Sequence, residues 1–215
     1  MRTDDKTDGT EANAKFDAKK HLPHLYAPKN REFERVIVPP LNYLAIDGQG
    51  DPDDSDYATA MGAIYAVAYP LKFSSKKLLG RDYAVPPAEA LWWADDPSSF
   101  VTGNRGAWKW TILSMIPSWI DESMVASARQ KAVTKGASAS ALVMFRTLTE
   151  GDSFQLLHIG PYSEEAPKLE RLHNVIMPEA GMAFAGAHHE IYLSDPRRTA
   201  PDKLKTILRQ PVTAI

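Results

Sequence analysis

One pattern occurs twice in this sequence, and the internal repeat restricts the possible folds more than any other feature. Residues 41–50, LNYLAIDGQG, form an apolar run ending at two glycines; a helix-like segment and the aromatic run 82–93, DYAVPPAEALWW, follow. Residues 154–163, FQLLHIGPYS, are likewise followed by a helix-like segment and then by 183–193, AFAGAHHEIYL. Each copy ends in a strand-like segment that carries a glutamate. Such a duplicated unit predicts an α+β body in two related halves, with a ligand cleft between them.

Apolar spacing predicts the remaining elements. Residues 53–72 repeat apolar side chains three and four apart behind aspartates that can cap a helix, whereas 108–116, WKWTILSMI, alternates as a strand does. The same criteria predict short strands on either side of Pro39-Pro40, helices over 119–135 and 161–176, a hairpin turn at 150–152, a strand over 182–193 and a terminal helix over 195–208.

The chain divides into a tail, an extension and one domain. Residues 1–14, MRTDDKTDGTEANA, are polar and without periodicity, which is typical of a disordered tail. Residues 15–32 hold a few apolar side chains punctuated by prolines, and we expect them to lie over the body as an N-terminal extension. Residues 33–215 are then the domain, with halves at about 33–118 and 140–215.

Composition excludes several classes of protein. With 44% apolar residues, 24% charged residues and a net charge of -2, the chain is typical of a soluble globular protein without a strong attraction to nucleic acid. It contains no apolar run of about 20 residues, so we expect neither a membrane span nor a signal peptide. The absence of cysteine excludes disulfides and thiolate sites and fits a cytoplasmic protein. We expect a monomer or a dimer.

No common metal or cofactor motif is present, so we expect neither group. The glycine loop 47–52 lacks both the dinucleotide fingerprint and the GK[ST] ending of phosphate loops. His21 and His24 have a proline between them and no acidic or third histidine partner nearby, and the adjacent His188 and His189 point to opposite sides of a strand. No GxSxG elbow occurs either.

Two carboxylates fall among aromatic residues on predicted strands. In the last strand His188, Glu190 and Tyr192 share one face, and in 82–93 the odd-numbered positions, which include Glu89, share another. We expect these faces to line one cavity, with Glu190 and Glu89 as candidate catalytic residues. The alternatives are a surface glutamate at position 190 and a salt-bridged structural carboxylate at position 89.

Five segments carry a resemblance to a known family. NYLAIDGQGDP, YAVPPAEALWW, WKWTILSMIPSWI, LLHIGPYSEE and HHEIYLSDPRRTAPDKLKTILRQPV, over about residues 33–211, resemble stand-alone GyrI-like small-molecule-binding proteins. The same domain senses drugs in some multidrug-responsive transcription regulators. The resemblance implies two strand-helix-strand-strand units of the SHS2 type, related by a pseudo-twofold axis around a hydrophobic cleft, and a buried or half-buried glutamate in the last strand, here Glu190. Before Phe33 there is no room for a DNA-binding head, so a transcription-factor role is not expected.

The resemblance also implies an activity. Some stand-alone members resemble hydrolases that open the strained cyclopropane of DNA-alkylating natural products inside an aromatic cage. Aromatic side chains also dominate protein cores, so each candidate ring has a packing role as its alternative. The candidate cage residues are Tyr83, Trp92, Trp93, Trp110, Phe145, His158 and Tyr192. Ile116 departs from the polar residue expected before Pro117.

Three functions remain open at this point. The first is binding of hydrophobic, planar or cationic xenobiotics, because a carboxylate among rings attracts cations through charge and cation–π contacts. The second is hydrolysis of a strained electrophile, with Glu190 and possibly Glu89 activating water while a tyrosine or histidine donates to the departing oxygen. Burial raises the pKa of an unpaired carboxyl group, which suits it to that role. The third is modulation of a protein target such as gyrase.

Overall fold

A computed structural model describes residues 15–215, and the expected disordered tail lies outside the described residues. The helices in this part are α1 Ala18–His21, α2 Pro23–Tyr26, α3 Ser55–Leu79, α4 Ser98–Thr102, α5 Glu122–Thr134, α6 Ala166–Arg171 and α7 Met177–Glu179. The strands are β1 Glu34–Val38, β2 Leu41–Gln49, β3 Glu89–Trp93, β4 Lys109–Ile116, β5 Met144–Leu148, β6 Gly151–Ile159, β7 Met182–Phe184, β8 His188–Tyr192 and β9 Lys205–Ala214. None of the helices in this range has the length and apolar character needed to cross a membrane.

The strands form one antiparallel sheet whose order reflects the duplication. The order is β1-β6-β9-β8-β3-β4-β2-β5, and β7 pairs with β9 beside it. The central pair is β8 and β3, and the strands on its two sides correspond, β9 to β4 and β6 to β2. Each half therefore contributes a strand-helix-strand-strand unit, β2-α3-β3-β4 or β6-α6-β8-β9. The predicted α+β class with two duplicated units is confirmed.

The sheet curls into what we call the half-barrel. Only Pro39 and Pro40 connect β1 to β2, yet β1 lies at one end of the sheet order and β2 lies next to the strand at the other end. A three-bond connection spans at most about 11 Å, so the two ends must approach each other. Across the concave side, the rings of Tyr43 on β2 and His189 on β8 have centroids 6.5 Å apart. A flat sheet would separate strands three positions apart by about 14 Å.

The predicted hairpin at 150–152 is wrong for the same reason. The turn exists, but β5 pairs with β2 and β6 pairs with β1 and β9. Strand β5 thus satisfies its backbone hydrogen bonds with a strand of the other half of the chain, and β6 does so with β1 of that half and β9 of its own. A glycine turn between apolar runs is a local signal, and it cannot distinguish a hairpin from a connection that crosses between sheet edges.

Helices α3 and α5 cover the convex face of the sheet over β2, β3 and β4. The main core lies between α3, α5 and the convex side chains of β2, β3 and β4, and it includes Ile64, Leu71 and Ile112, each fully buried. The predicted helix at 53–72 is confirmed but continues to Leu79, where Gly80 ends it in the left-handed conformation at φ 67°.

Residues 15–30, which we call the N-terminal strap, cover the concave face. Leu25 and Tyr26 of the strap are fully buried against a second core that contains Leu113, Ile191 and Ile207. Backbone carbonyls of the strap also accept hydrogen bonds from the sheet. These bonds run from Leu157 N to Asn30 O at 2.8 Å and from the Arg209 guanidinium to Leu25 O at 2.9 Å.

The C-terminal region differs from its sequence-based expectation. The predicted terminal helix at 195–208 is wrong: a short 3-10 turn at Pro201–Lys203 leads into β9, whose residues 206–212 are all buried. A strand buried on both faces loses the polar–apolar alternation by which strands are recognised. The predicted strand at 182–193 is two strands, β7 and β8, and the predicted helix at 161–176 runs through several short turns to Glu179.

Candidate functional site

Glu190 lies on the convex face of β8 with its side chain 16% exposed. The Tyr192 hydroxyl donates a 2.8 Å hydrogen bond to Glu190 Oε2, and His188 Nε2 lies 3.5 Å from Oε1. Burial, reinforced by the charge of Glu190, raises the pKa of the Tyr192 hydroxyl well above its usual value, so it remains a donor. The expectation that these three residues share one face is confirmed.

Aromatic rings surround this carboxylate. The Trp92 indole N–H donates to the Tyr192 hydroxyl at 3.2 Å, and the Tyr57 ring stacks on Trp92 with centroids 5.6 Å apart. Trp110 and Trp108 meet these rings edge-on at 5.2 and 6.1 Å, and Tyr162 meets Tyr192 edge-on at 5.9 Å. We call this set the aromatic cluster: Tyr57, Trp92, Trp108, Trp110, Tyr162 and Tyr192.

Gly48 allows the Trp110 ring to lie flat on β2. A Cβ atom at this position would lie 2.0 Å from Trp110 Cη2. No side chain can therefore replace the glycine without moving the ring. The first glycine of the predicted loop thus supports the aromatic cluster by its lack of a side chain.

A second carboxyl group, Glu165, faces the same site and was missed from sequence. It lies just before α6, it is 5% exposed, and its Oε1 has no hydrogen-bond partner among the described residues. Burial and then the charge of Glu190 raise the pKa of Glu165 to about 9, against smaller opposing effects of Thr206 and Lys168. At neutral pH the carboxyl group of Glu165 is therefore protonated, and it lies in the same site as the side chain of Glu190.

The internal repeat is the signal that could have found the missed residues. Tyr57 lies in the first turn of α3, and Tyr162 and Glu165 lie at the corresponding start of the helical segment in the second unit. The two helix starts flank the central β3–β8 pair, so residues there converge on Glu190 from both sides. Without the sheet order, their polar and aromatic side chains look like ordinary loop and helix residues.

The expectation that Glu89 and Glu190 line one cavity is wrong. The register of β3 and β8 places Ala90 opposite Glu190, and Glu89 opposite Ile191. Residues directly opposite in an antiparallel pair share a face, so Glu89 lies on the concave side. It is fully buried there, with Oε2 2.9 Å from His189 Nε2. The alternative of a salt-bridged structural carboxylate describes Glu89 correctly.

Glu89 belongs to a buried group of charges, the concave ion cluster, formed by Glu89, Glu150, His189 and Arg209. His189 Nδ1 lies 2.8 Å from Glu150, which also accepts from Arg209 at 3.0 Å, and the Tyr26 hydroxyl donates to Glu89 at 3.0 Å. Burial opposes the charge on His189, but Glu150 and Glu89 outweigh it and raise its pKa to about 9. Burial likewise opposes ionisation of Glu150, whereas His189 and Arg209 lower its pKa to about 2. Two positive and two negative groups thus balance inside the half-barrel.

Three other candidate rings lie away from the aromatic cluster. Trp93 follows Trp92 on β3, so strand alternation directs it to the concave side. Tyr83 is buried with its ring centroid 6.4 Å from that of Trp119. Phe145 packs on the convex core from β5, which β2, β4 and β3 separate from β8.

His158 lies on the convex face but outside the aromatic cluster. It pairs with Thr206 in the register of β6 and β9, its Nε2 donates to Pro161 O at 3.1 Å, and its Nδ1 accepts from Lys168 at 2.8 Å. Burial lowers the pKa of His158, which fits a neutral ring with these two partners. Ile116, the departure in the resemblance, is buried in the convex core. Of the candidate residues, the structure brings together Glu190, Trp92, Trp110 and Tyr192.

The sequence is similar to a known domain family and to several solved structures. The model of the GyrI-like small molecule binding domain matches residues 31–213. Crystal structures of an uncharacterized conserved protein and of a hydrolase, both from Listeria innocua, are each 38% identical over 93% of this chain and 100% of theirs, with TM-scores of 0.85 and 0.80. The EcmrR C-terminal domain, 11% identical over 86% of this chain and 98% of its own, shares the fold with a TM-score of 0.55. None of the curated proteins matches the sequence.

Proposed function

The chain belongs to the GyrI-like small molecule binding domain family, and from this premise we propose that it binds hydrophobic aromatic molecules of foreign origin, cations above all, in the cytoplasm. The observation that carries the proposal is Glu190, a part-buried carboxylate on a wall of aromatic rings. Such binding protects a cell by sequestering the compound.

The charge of Glu190 favours a cationic ligand. Within residues 15–215 no lysine or arginine nitrogen lies within 4.0 Å of its carboxylate, and the one ion-pair partner in that range is the imidazole of His188. A carboxylate removed from water without a cation is costly, so a ligand cation would supply the missing counter-charge. Each ring face in contact with it would add about 0.5–2 kcal/mol.

Access to the site requires movement of a ring. Tyr57 stacks directly on Trp92 and its hydroxyl oxygen lies 3.5 Å from that of Tyr192, whereas Tyr162 at the edge of the aromatic cluster is 41% exposed. A planar ligand would enter by displacing Tyr162 and then inserting between Tyr57 and Trp92. Exposed side chains change rotamer in nanoseconds or less, so displacement of Tyr162 would not limit binding.

A matched pair of probes tests this proposal. N-methylphenanthridinium and phenanthridine have the same ring system but differ in charge at pH 7, and both quench tryptophan fluorescence on stacking. We expect Glu190→Gln to weaken binding of the cation about tenfold and to leave the neutral ring unchanged, because about 1.4 kcal/mol of charge attraction is lost. Glu170→Gln, at an exposed position on α6, is the control. Equal cation affinity in wild type and Glu190→Gln would refute the proposal.

Hydrolysis of a strained electrophile is the second candidate, and the pair Glu190 and Glu165 favours it. In a cyclopropane fused to a conjugated dienone, a water oxygen bonds to a ring carbon as a carbon–carbon bond breaks. The electron pair of that bond moves to the carbonyl oxygen. Glu190 would accept the proton of the water, and protonated Glu165 would give a proton to the carbonyl oxygen, so the product is substrate plus one water. One of the similar crystal structures from Listeria innocua is that of a hydrolase.

Mass spectrometry distinguishes turnover from binding. A cyclopropane-bearing dienone incubated with the protein should gain the mass of one water, faster than without protein. Glu190→Gln and Glu165→Gln should each reduce the rate at least tenfold while N-methylphenanthridinium still binds to Glu165→Gln. Binding of the dienone without a gain in mass would eliminate the hydrolase.

A further inference from the structure

We propose that the concave side carries a second binding site, for soluble amphipathic carboxylates, separate from the Glu190 site. A cavity of about 640 Å³ lies between the N-terminal strap, the end of β6 and the connection from β8 to β9. Its size falls in the range of small-molecule sites, roughly 300–1,000 Å³. The proposal is independent of the function assigned to the aromatic cluster.

The floor of this cavity is apolar and held by the sheet. It is formed by Pro28 of the strap, by Leu157 and Ile159 of β6 and by Leu193 after β8. Leu157 lies opposite Ile207 and Ile159 opposite Lys205 in the β6–β9 register, so these side chains all point to the concave side. A strand framework of this kind gives an apolar ligand body a preformed surface to cover.

The rim of the cavity is cationic. Lys19 of α1, Lys203 and Lys205 border it, and all three are exposed. None of their ammonium nitrogens lies within 4.0 Å of a carboxylate in residues 15–215. The whole chain has a net charge of -2, so three lysines that have no acidic partner in the described part of the chain, around an apolar hollow, are a local feature.

An apolar floor with a cationic rim selects one chemical class. An alkyl or aryl carboxylate can cover the floor with its hydrocarbon part and place its anion between the ammonium groups, which remain hydrated. A cation would be repelled there, just as an anion would be repelled by Glu190. The sheet separates the two sites, so each face has the opposite charge preference.

The cavity also connects to the strap. Tyr26 lines the cavity, and its hydroxyl donates to Glu89 in the concave ion cluster at 3.0 Å. A ligand in contact with Tyr26 and Pro28 would hold the strap on the half-barrel, since binding stabilises whichever state forms the site. Trypsin cleavage at Lys19 and Lys20 should therefore slow when the ligand is bound.

Pyrene probes of opposite charge test the second site. We expect 1-pyrenebutyrate to bind the full chain and slow trypsin cleavage in the strap, and 1-pyrenemethylammonium not to bind on the concave side. Lys203→Ala with Lys205→Ala should weaken pyrenebutyrate binding at least tenfold, and arginine at both positions should restore it. Lys77→Ala with Lys135→Ala, two exposed lysines elsewhere, should bind like wild type.

Two results would overturn this inference. One is equal affinity for pyrenebutyrate in wild type and in Lys203→Ala with Lys205→Ala. The other is displacement of pyrenebutyrate by N-methylphenanthridinium in wild type together with weaker pyrenebutyrate binding in a Trp92→Ala variant, because both would place the anion in the aromatic cluster.

Discussion

The hydroxyl of Tyr192 and the carboxylate of Glu190 are joined by a 2.8 Å hydrogen bond on the convex face of β8. The same hydroxyl accepts from the indole of Trp92. One phenol therefore links the charge of the site to its rings, and within residues 15–215 no lysine or arginine forms a salt bridge with that charge.

Tyr192→Phe should destabilise the protein by about 1–3 kcal/mol. The substitution removes the donor to Glu190 and leaves the Trp92 N–H without its acceptor, and such buried groups are costly when unpaired. Urea denaturation followed by circular dichroism measures the change. Tyr69→Phe, at a tyrosine that is 51% exposed, is the control and should leave the midpoint unchanged. Identical midpoints for both variants would contradict the linking role of Tyr192.

Glu165→Gln should be more stable than wild type at pH 8 and equal to it near pH 4. The folded pKa of Glu165, about 9, lies above the value of about 4.5 in the unfolded chain. Its contribution to stability is therefore fully present below pH 4.5 and is lost as the pH rises toward 9. At pH 7 the free energy of unfolding of the wild type should therefore be lower than that of Glu165→Gln by on the order of 3 kcal/mol. Denaturation at several pH values measures it, and a constant difference between the two proteins would contradict a buried protonated carboxyl group.

His189→Gln should lower the free energy of unfolding by about 3–5 kcal/mol at pH 6. The variant leaves Glu89 and Glu150 buried without the imidazolium between them. Because the pKa of His189 is raised to about 9, its contribution is complete below pH 6.5 and disappears as the pH rises through 9. The difference from wild type should therefore shrink by pH 9.5. His24→Gln, at an exposed histidine, provides the matched control.

Gly48→Ala should weaken ligand binding and destabilise the fold by about 1–3 kcal/mol. The added methyl group would occupy the position of the Trp110 ring and force it away from Tyr57. Gly62→Ala in α3 should instead stabilise the protein by about 0.5–1 kcal/mol, because within residues 15–215 no atom outside the adjoining helix backbone lies within 4 Å of the added Cβ. Near-ultraviolet circular dichroism should change for the first variant alone.

Patterns with a period of two or 3.6 predicted much of the fold. The long helix that includes Ile64 and the face shared by Glu190 and Tyr192 were predictable, because each belongs to a regular element with one side on the core. Strand β4 was predictable as an apolar run that ends at Pro117, although residues 110–116 are buried on both faces. The duplication predicted the paired units. These patterns are local or repeated in the chain, so they can be recognised without knowledge of the tertiary structure.

The errors arose where neighbours in space decide the outcome. The face on which Glu89 lies depends on a one-residue register with β8, and the strand character of residues 206–212 depends on burial from both sides. Glu165 becomes a site residue only because the second unit folds back against the first. No local pattern contains that information.

The N-terminal strap belongs to the folded body of this protein although it precedes the matched domain. The family model begins at residue 31, whereas Leu25 and Tyr26 already seal the hollow of the half-barrel. The region that the family model matches therefore lacks residues that complete the buried core of the half-barrel. A recombinant fragment that begins at residue 31 would expose the concave core and the concave ion cluster to water. The stability and ligand binding of such a fragment would therefore differ from those of the intact chain.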